Sequence, residues 1–356
     1  MAYLKFKSTQ EEVLYFEEVK REVTNYFIEN KISSFANAEM MIKTIFWILF
    51  WAASWYAIIL AKNNFTLAFS IGLIHMFSHV MIAFNITHDA NHFAMFKKKS
   101  ANHFFGYLVE LLGCNRKIWL LAHNREHHTY INIHEYDNNI EGYKILRLTP
   151  EDKWYSQHKY QWLYAPFIYC LTTLNYALAK DYKMIFRYSK MVKKKIDVAF
   201  AVELIFFKLL YYSYMFIIPI VVFGLSWKLV LSYFIIGHLI NGLFLTTIFV
   251  IGHQTENTSY PVPVNNTIPT NWAVHVVKTT GDFATKTNFL QWLVGGINLH
   301  VAHHLFPQIC HVHYKAISPI IKRVTLKYGI PYREIPSFRT ALKSHISLLK
   351  SLGKVA

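Results

Sequence analysis

Four uncharged apolar stretches, set as two closely spaced pairs, constrain this chain more than any other feature. Ile45–Ala61 and Phe65–Ile86 contain no Asp, Glu, Lys or Arg, and only Lys62, Asn63 and Asn64 separate them. Leu209–Trp227 and Leu229–Gly252 repeat the arrangement around Lys228. A helix needs about 20 apolar residues to cross about 30 Å of hydrocarbon. Each stretch reaches or nearly reaches that length, and the tight connections make each pair a helical hairpin. A composition of 53% hydrophobic and 17% aromatic residues over 356 positions supports the same reading. The expected fold class is an all-α integral membrane protein with four transmembrane helices in two hairpins. A helical cap is built from residues 1–44, 87–208 and 253–356, and residues 1–356 form a single domain.

The basic residues orient these spans. If both hairpins point outward, every one of the 37 Lys and Arg except Lys62 and Lys228 lies on the side of the N-terminus. Lys and Arg accumulate on the cytoplasmic side of membrane proteins, so a multi-pass chain with both termini cytoplasmic is expected. Met1–Lys43 is mixed and charged, unlike a signal peptide, so the first span is expected to direct insertion.

The net charge of +16 points to anionic headgroups of the lipid bilayer rather than to nucleic acid. Lys97-Lys98-Lys99 and Lys193-Lys194-Lys195 are short runs near membrane boundaries, where each charge is worth about 1 kcal/mol at an anionic surface. No nucleic-acid-binding motif accompanies them, so no nucleic-acid partner is expected. Cys114, Cys170 and Cys310 form no CxxC pair, which argues against a disulfide framework and a thiolate metal site.

The chemistry lies in nine histidines: His88 and His92; His123, His127 and His128; His300, His303 and His304; and His253, directly after the fourth apolar stretch. All are expected at cytoplasmic helix ends. On an α-helix, residues three or four apart share a face, so His88/His92, His123/His127 and His300/His303/His304 each project to one side. His128 diverges from His123 by about 140° on the same geometry. Imidazole suits zinc, copper, iron and nickel, but a zinc site takes three or four protein ligands. Nine ligands fit a pair of metals, with redox iron the leading choice. Asp89, Asn91, Glu126, Asn298 and Asp282 lie within or near the clusters as groups that could orient the rings, or equally cap helices or face solvent. His134, His275, His311 and His313 read as hydrogen-bonding or surface residues. His75, His79, His238 and Asn241, inside the spans, read as interhelical pairs in preference to a tunnel mouth.

Between the spans, Phe104–Gly113 is too short to cross a bilayer and reads as an interfacial or buried helix. Residues 153–190 mix Trp and Tyr with lysines in the manner of interfacial helices. Pro261–Pro269 reads as an irregular loop. Gly295 and Gly296 lead to the third cluster, and a soluble helical tail follows Pro307.

His88-Asp-Ala-Asn-His92, His123-Asn-Arg-Glu-His127-His128-Thr-Tyr and Gly295-Gly-Ile-Asn-Leu-His300-Val-Ala-His303-His304-Leu-Phe-Pro307 resemble the three histidine boxes of the membrane fatty acid desaturases. The resemblance is closest to the linoleoyl-CoA or front-end branch and runs from about Thr87 to Tyr314, including Thr279–Ala284. It implies two iron ions held by the eight box histidines and His253, with O₂ as co-substrate and a fatty acyl substrate that gains a cis double bond. Front-end members usually begin the third box with Gln where this chain has His300. No His-Pro-Gly-Gly haem motif is present, and no haem or flavin is expected in this chain. Electrons are then expected from a separate ferredoxin or cytochrome b5-type donor with its reductase, for which Lys315, Lys322, Arg323, Lys327 and Arg333 offer complementary charge. The alternatives are a membrane di-iron hydroxylase or ketolase acting on a lipid or carotenoid and, in another class, a non-catalytic membrane metal-binding or transport protein.

Overall fold

The computed structural model describes residues 4–142, 144–192 and 196–354. The Lys193-Lys194-Lys195 run lies outside the described residues. The fold is all-α and membrane-spanning. Among the described residues, four helices are long and apolar enough to cross a bilayer: Ala38–Leu60, Phe65–Asn91, Val198–Val222 and Trp227–His253.

These helices do not stop where the charge-free stretches do. The first begins at Ala38 because the Asn37 side chain accepts from Met40 N–H at 3.0 Å and starts the helix there. Lys43 is tolerated inside it because its Nζ lies 3.2 Å from His311 Nε2, within the cap. The third begins at Val198, capped by Asp197, and so includes Lys208. That ammonium is buried, 2.8 Å from the Asp181 carboxylate, and donates to the carbonyls of Gly113, Tyr176 and Ala177. A satisfied buried cation can lie within a span that a charge-free criterion cuts short. The helix ends at Val222, and Gly224, at φ +69°, turns the chain so that Trp227 and Lys228 open the fourth span instead of separating two.

The second and fourth spans form the inner pair. Of the most apolar window of each span, 56% of the second and 39% of the fourth is buried within the protein, against 28% and 22% for the first and third. The outer pair therefore presents its side chains mainly to lipid. Inner helices approach closely at small residues: a Cβ on Gly237 would lie 2.5 Å from Met76 Cβ. The polar residues inside the spans pair between helices. His75 meets Ser54 at 3.0 Å and Tyr214, His79 meets Tyr214 at 3.2 Å, His238 meets Tyr211 at 3.0 Å, and Asn241 donates to Met76 O at 2.6 Å. His79, His238 and Asn241 also line a cavity, so pairing and lining are not exclusive.

Both inner helices end in the cap, delivering His88 from one and His253 from the other. Helix Gln10–Glu29 covers the cap, burying Tyr15, Val19 and Val23 in the same apolar cluster as Ile317, Ile321 and Val324 of helix Tyr314–Lys327. Two short parallel pairings complete it: Lys5–Phe6 with Thr267–Ile268, and Asp282–Phe283 with Glu334–Ile335. The Pro261–Pro269 segment is thus not wholly irregular, because Thr267 and Ile268 are held by the N-terminal strand. Phe104–Gly113 is not one α-helix: the helix Lys99–Gly106 ends within it and a 3-10 stretch, Tyr107–Leu112, follows. Phe104 is exposed, as are Leu163 and Phe167 of helix Gln161–Cys170, the exposure an interfacial helix would show.

Candidate metal centre

All nine histidines are buried and brought together, from four separate parts of the chain. Ring nitrogens of His88, His92, His123 and His303 lie within 4.8 Å of one another, as do those of His127, His253 and His304. His128, His303 and His304 form a third such group and join the two.

The second cluster departs from the geometry expected of an α-helix. Leu120–His127 is a π-helix, and the backbone N–H of His128 donates to His123 O, five residues back. Bonding of this type brings residues five apart onto one face. His123 and His128 therefore converge, with their Nε2 atoms 3.1 Å apart, instead of diverging. A second π-turn at Ala83–Thr87 precedes His88 in the second span.

The hydrogen bonds of the outer ring nitrogens fix what the inner ones offer. His300 Nδ1 lies 2.7 Å from Ile297 O and His253 Nδ1 lies 3.2 Å from Thr279 O; a carbonyl only accepts, so both Nδ1 atoms carry the proton. Both Nε2 atoms are then bare lone pairs, yet they face each other at 2.7 Å, with His304 Nε2 3.0 Å from that of His253. Protonation would relieve this repulsion, but burial pushes the His300 pKa down to about 3. Burial likewise holds His92, His123, His128, His303 and His304 well below the ordinary histidine value. His127 Nδ1 donates to the Asp137 carboxylate at 3.1 Å, leaving its Nε2 buried and without a partner, as are Nε2 of His88, His92 and His303. Convergent neutral imidazoles with unanswered lone pairs are a donor set for cations, and the residues fit two metal ions.

The residues expected to support the rings behave differently from one another. Asp89 accepts from His311 Nδ1 at 2.8 Å and from its backbone N–H at 3.0 Å, while His88 Nδ1 is farther away, at 3.9 Å. Asn91 accepts from Arg116 Nε at 2.7 Å and donates to Gly106 O, locking the next helix and touching no histidine ring. Asp282 acts on the backbone: it accepts from Val301 N–H at 2.9 Å at the start of the third cluster, and from Tyr332 OH at 2.6 Å. Burial pushes its pKa up to about 7. Glu126 has its pKa raised by burial and one carboxylate oxygen without a partner, and both polar side-chain atoms of buried Asn298 lack one. His311 and His313 are hydrogen-bonded, the latter to Phe35 O at 2.9 Å, and His134 meets Asp152. His275 is buried with neither ring nitrogen partnered.

Sequence reasoning missed Asp137, ten residues beyond the ring it holds, and Gly252. A Cβ on Gly252 would lie 2.8 Å from His300 Cδ2, so only glycine lets the fourth span pass the third cluster this closely. The basic tail also differs from expectation. Lys322 pairs with Glu334, Arg323 with Glu22 and Lys327 with Glu18, so much of that charge is answered within the cap.

A cavity of about 300 Å³ opens beside His88, His123, His127 and His253. Val80, Ala83, Phe84, Leu245 and Phe249 of the inner helices give it apolar walls, and Thr172, Asn175 and Tyr176 contribute polar groups from an interfacial segment. An apolar chain fits such a space.

The fatty acid desaturase family model matches residues 49–336. The chain is 30% identical to the sn-1 linoleoyl-lipid 6-desaturase of Synechocystis over 95% of each sequence. It is 31% identical to the enzyme of the same name from Arthrospira platensis, over 94% of this chain and 92% of that one. It is also 30% identical to the acyl-lipid (8-3)-desaturase of Physcomitrium patens, over 99% of this chain and 74% of that one.

Proposed function

We propose that this chain, which belongs to the fatty acid desaturase family and is a fatty acyl desaturase, acts on a lipid-linked acyl chain lying in the cavity beside two iron ions. The observation that carries the reading is the pair of bare Nε2 lone pairs on His253 and His300, set beside an apolar-walled cavity. His88, His92, His123 and His303 would hold one ion, His127, His253, His300 and His304 the other, with His128 between them. Bound there, two irons with O₂ and two external electrons supply the oxidant that removes two hydrogens from an unactivated acyl chain, which side-chain acid–base chemistry cannot do. The chain's residues do the rest. The cavity walls hold the acyl chain against the histidines and keep water from it. Asp137, Thr279 O and Ile297 O hold the Nδ1 protons of His127, His253 and His300, so that these rings present Nε2. The relatives' names support a lipid-linked substrate.

The test is mass-spectrometric analysis of fatty acids from a host expressing the chain, together with metal analysis of the purified protein. A new acid two hydrogens lighter than its precursor and about two irons per chain are expected. A product that gains oxygen, or full activity with zinc alone, sinks the reading.

We further place both termini on the cytoplasmic side, since Lys62 and Lys228 are the lone basic residues in the hairpin turns and spans' far ends. A cysteine at Asn63 should label from outside intact cells and tags at either terminus should not; the reverse pattern refutes the orientation. The electrons come from a ferredoxin or cytochrome b5-type carrier docking on the cap. Purified protein given NAD(P)H and O₂ alone should be inactive and should recover with carrier and reductase. Because Lys322, Arg323 and Lys327 are internally paired, raising salt should slow this transfer only modestly across a Debye length of about 10 Å at 0.1 M. A steep salt dependence would place the docking surface on other, unpaired basic residues.

A further inference from the structure

A second cavity, of about 280 Å³, reaches the histidine cluster by a different pair of rings, His92 and His128. It shares no lining residue with the acyl cavity, which meets His88, His123, His127 and His253. Its wall is mixed: Asn124, Thr129 and Gln308 alongside Trp272. Gln308 is exposed, so the rim is at the surface of the cap, while His92 and His128 at the inner end are buried. Three features mark its wall. Trp272 Nε1 donates to His128 O at 3.2 Å, fixing one wall to the backbone of a cluster histidine. Asn124 Nδ2 donates to Asn91 O at 3.1 Å, yet its buried Oδ1 has no partner. Phe93, next to His92, is held at φ +59°, a costly conformation for an aromatic residue, which persists where the surrounding structure demands it.

The proposed reaction needs such a passage. Each turnover takes up one O₂, two electrons from the carrier and two protons from water, joins them to the two hydrogens removed from the acyl chain, and releases two water molecules. With an acyl chain in the first cavity, that route is filled with apolar matter through which protons and water do not pass. Resting on the di-iron reading above, we propose that the second cavity is the entry for O₂ and protons and the exit for water while the acyl chain is in place. Its volume holds several waters at about 30 Å³ each, and its amide and hydroxyl groups give them partners.

The test uses the full chain loaded with ferrous iron and saturated with acyl substrate, in a Cys170→Ala background that removes the one native cysteine that is not buried. Gln308→Cys is labelled either with a methylthio group or with a bulky aromatic maleimide, and binding of nitric oxide, a probe of O₂ size, is followed by absorbance. The bulky label should slow binding about tenfold or more, equivalent to about 1.4 kcal/mol on the entry barrier, and the methylthio label should not. The same bulky label on Ser351→Cys, exposed on the cap and in the wall of neither cavity, should leave the rate unchanged. An unchanged rate with bulky-labelled Gln308→Cys, or equal slowing from labelled Ser351→Cys, overturns the passage alone. Absence of any nitric oxide spectrum overturns the di-iron reading and the passage with it.

Discussion

His303→Ala should abolish desaturation, reducing the product to the level of a host without the protein, while the purified chain keeps its helical content and its elution as a folded species. His303 is the ring that belongs to both the His88/His92/His123 group and the His128/His304 group, so its loss opens both halves of the centre. Its Nδ1 lies 3.4 Å from Tyr314 OH and its Nε2 is bare. The imidazole is thus held where the two groups meet. Removing it also relieves crowding of buried lone pairs, which is why the apo fold should tolerate the change. The four spans form from apolar length and backbone hydrogen bonding without any metal. Metal content should fall below two ions per chain in parallel with activity. His134→Ala provides the contrast: that ring is part-exposed, pairs with Asp152 and touches none of the nine, so product should stay near wild type. Wild-type turnover in His303→Ala would remove the assignment of this cluster as the catalytic metal centre.

The sequence made the nine histidines and the four spans legible because each signal repeats: clusters at helical spacing, and long runs without charge. It failed where tertiary partners overrule local pattern. Lys208 looked like the end of a span because its neutralising partners, Asp181 and three carbonyls, come from segments distant in sequence. His128 looked as if it faced away because α-helical periodicity was assumed, and nothing local in Leu120–His127 announces π-type bonding. Asp89 stands inside the first motif, yet its carboxylate serves His311, brought in from the cap 222 positions away. Asp282 stands outside the third motif, yet it fixes the backbone that carries His300. Chemistry-bearing rings could be read from spacing; the groups that aim them had to be found in space.

Asp137 is the clearest of those groups, and its replacement is the second large effect expected. Its two oxygens accept from His127 Nδ1 at 3.1 Å, from Asn132 N–H at 2.9 Å and from Asn139 N–H at 2.9 Å, with the carboxylate fully buried. Asp137→Ala leaves those donors without an acceptor, and each buried unsatisfied donor costs about 1–3 kcal/mol. The variant should therefore melt earlier, and it frees His127 to turn or to change tautomer. Loss of a carboxylate that orients a metal-bound histidine typically costs about 10–100-fold in metal affinity or activity, and that range is expected here. Asp137→Asn separates the two effects. Its one carbonyl oxygen can still accept from a backbone N–H and from His127, so much of the stability should return, but a neutral amide holds the His127 proton less firmly than a carboxylate and its NH2 faces the same ring as a donor, so metal affinity should stay low. A pair of variants in which metal affinity recovers in step with melting temperature would mean that Asp137 only closes its loop. Affinity that stays low in Asp137→Asn while stability recovers would mean that the carboxylate sets the tautomer of His127, and so which nitrogen the ring offers to the centre.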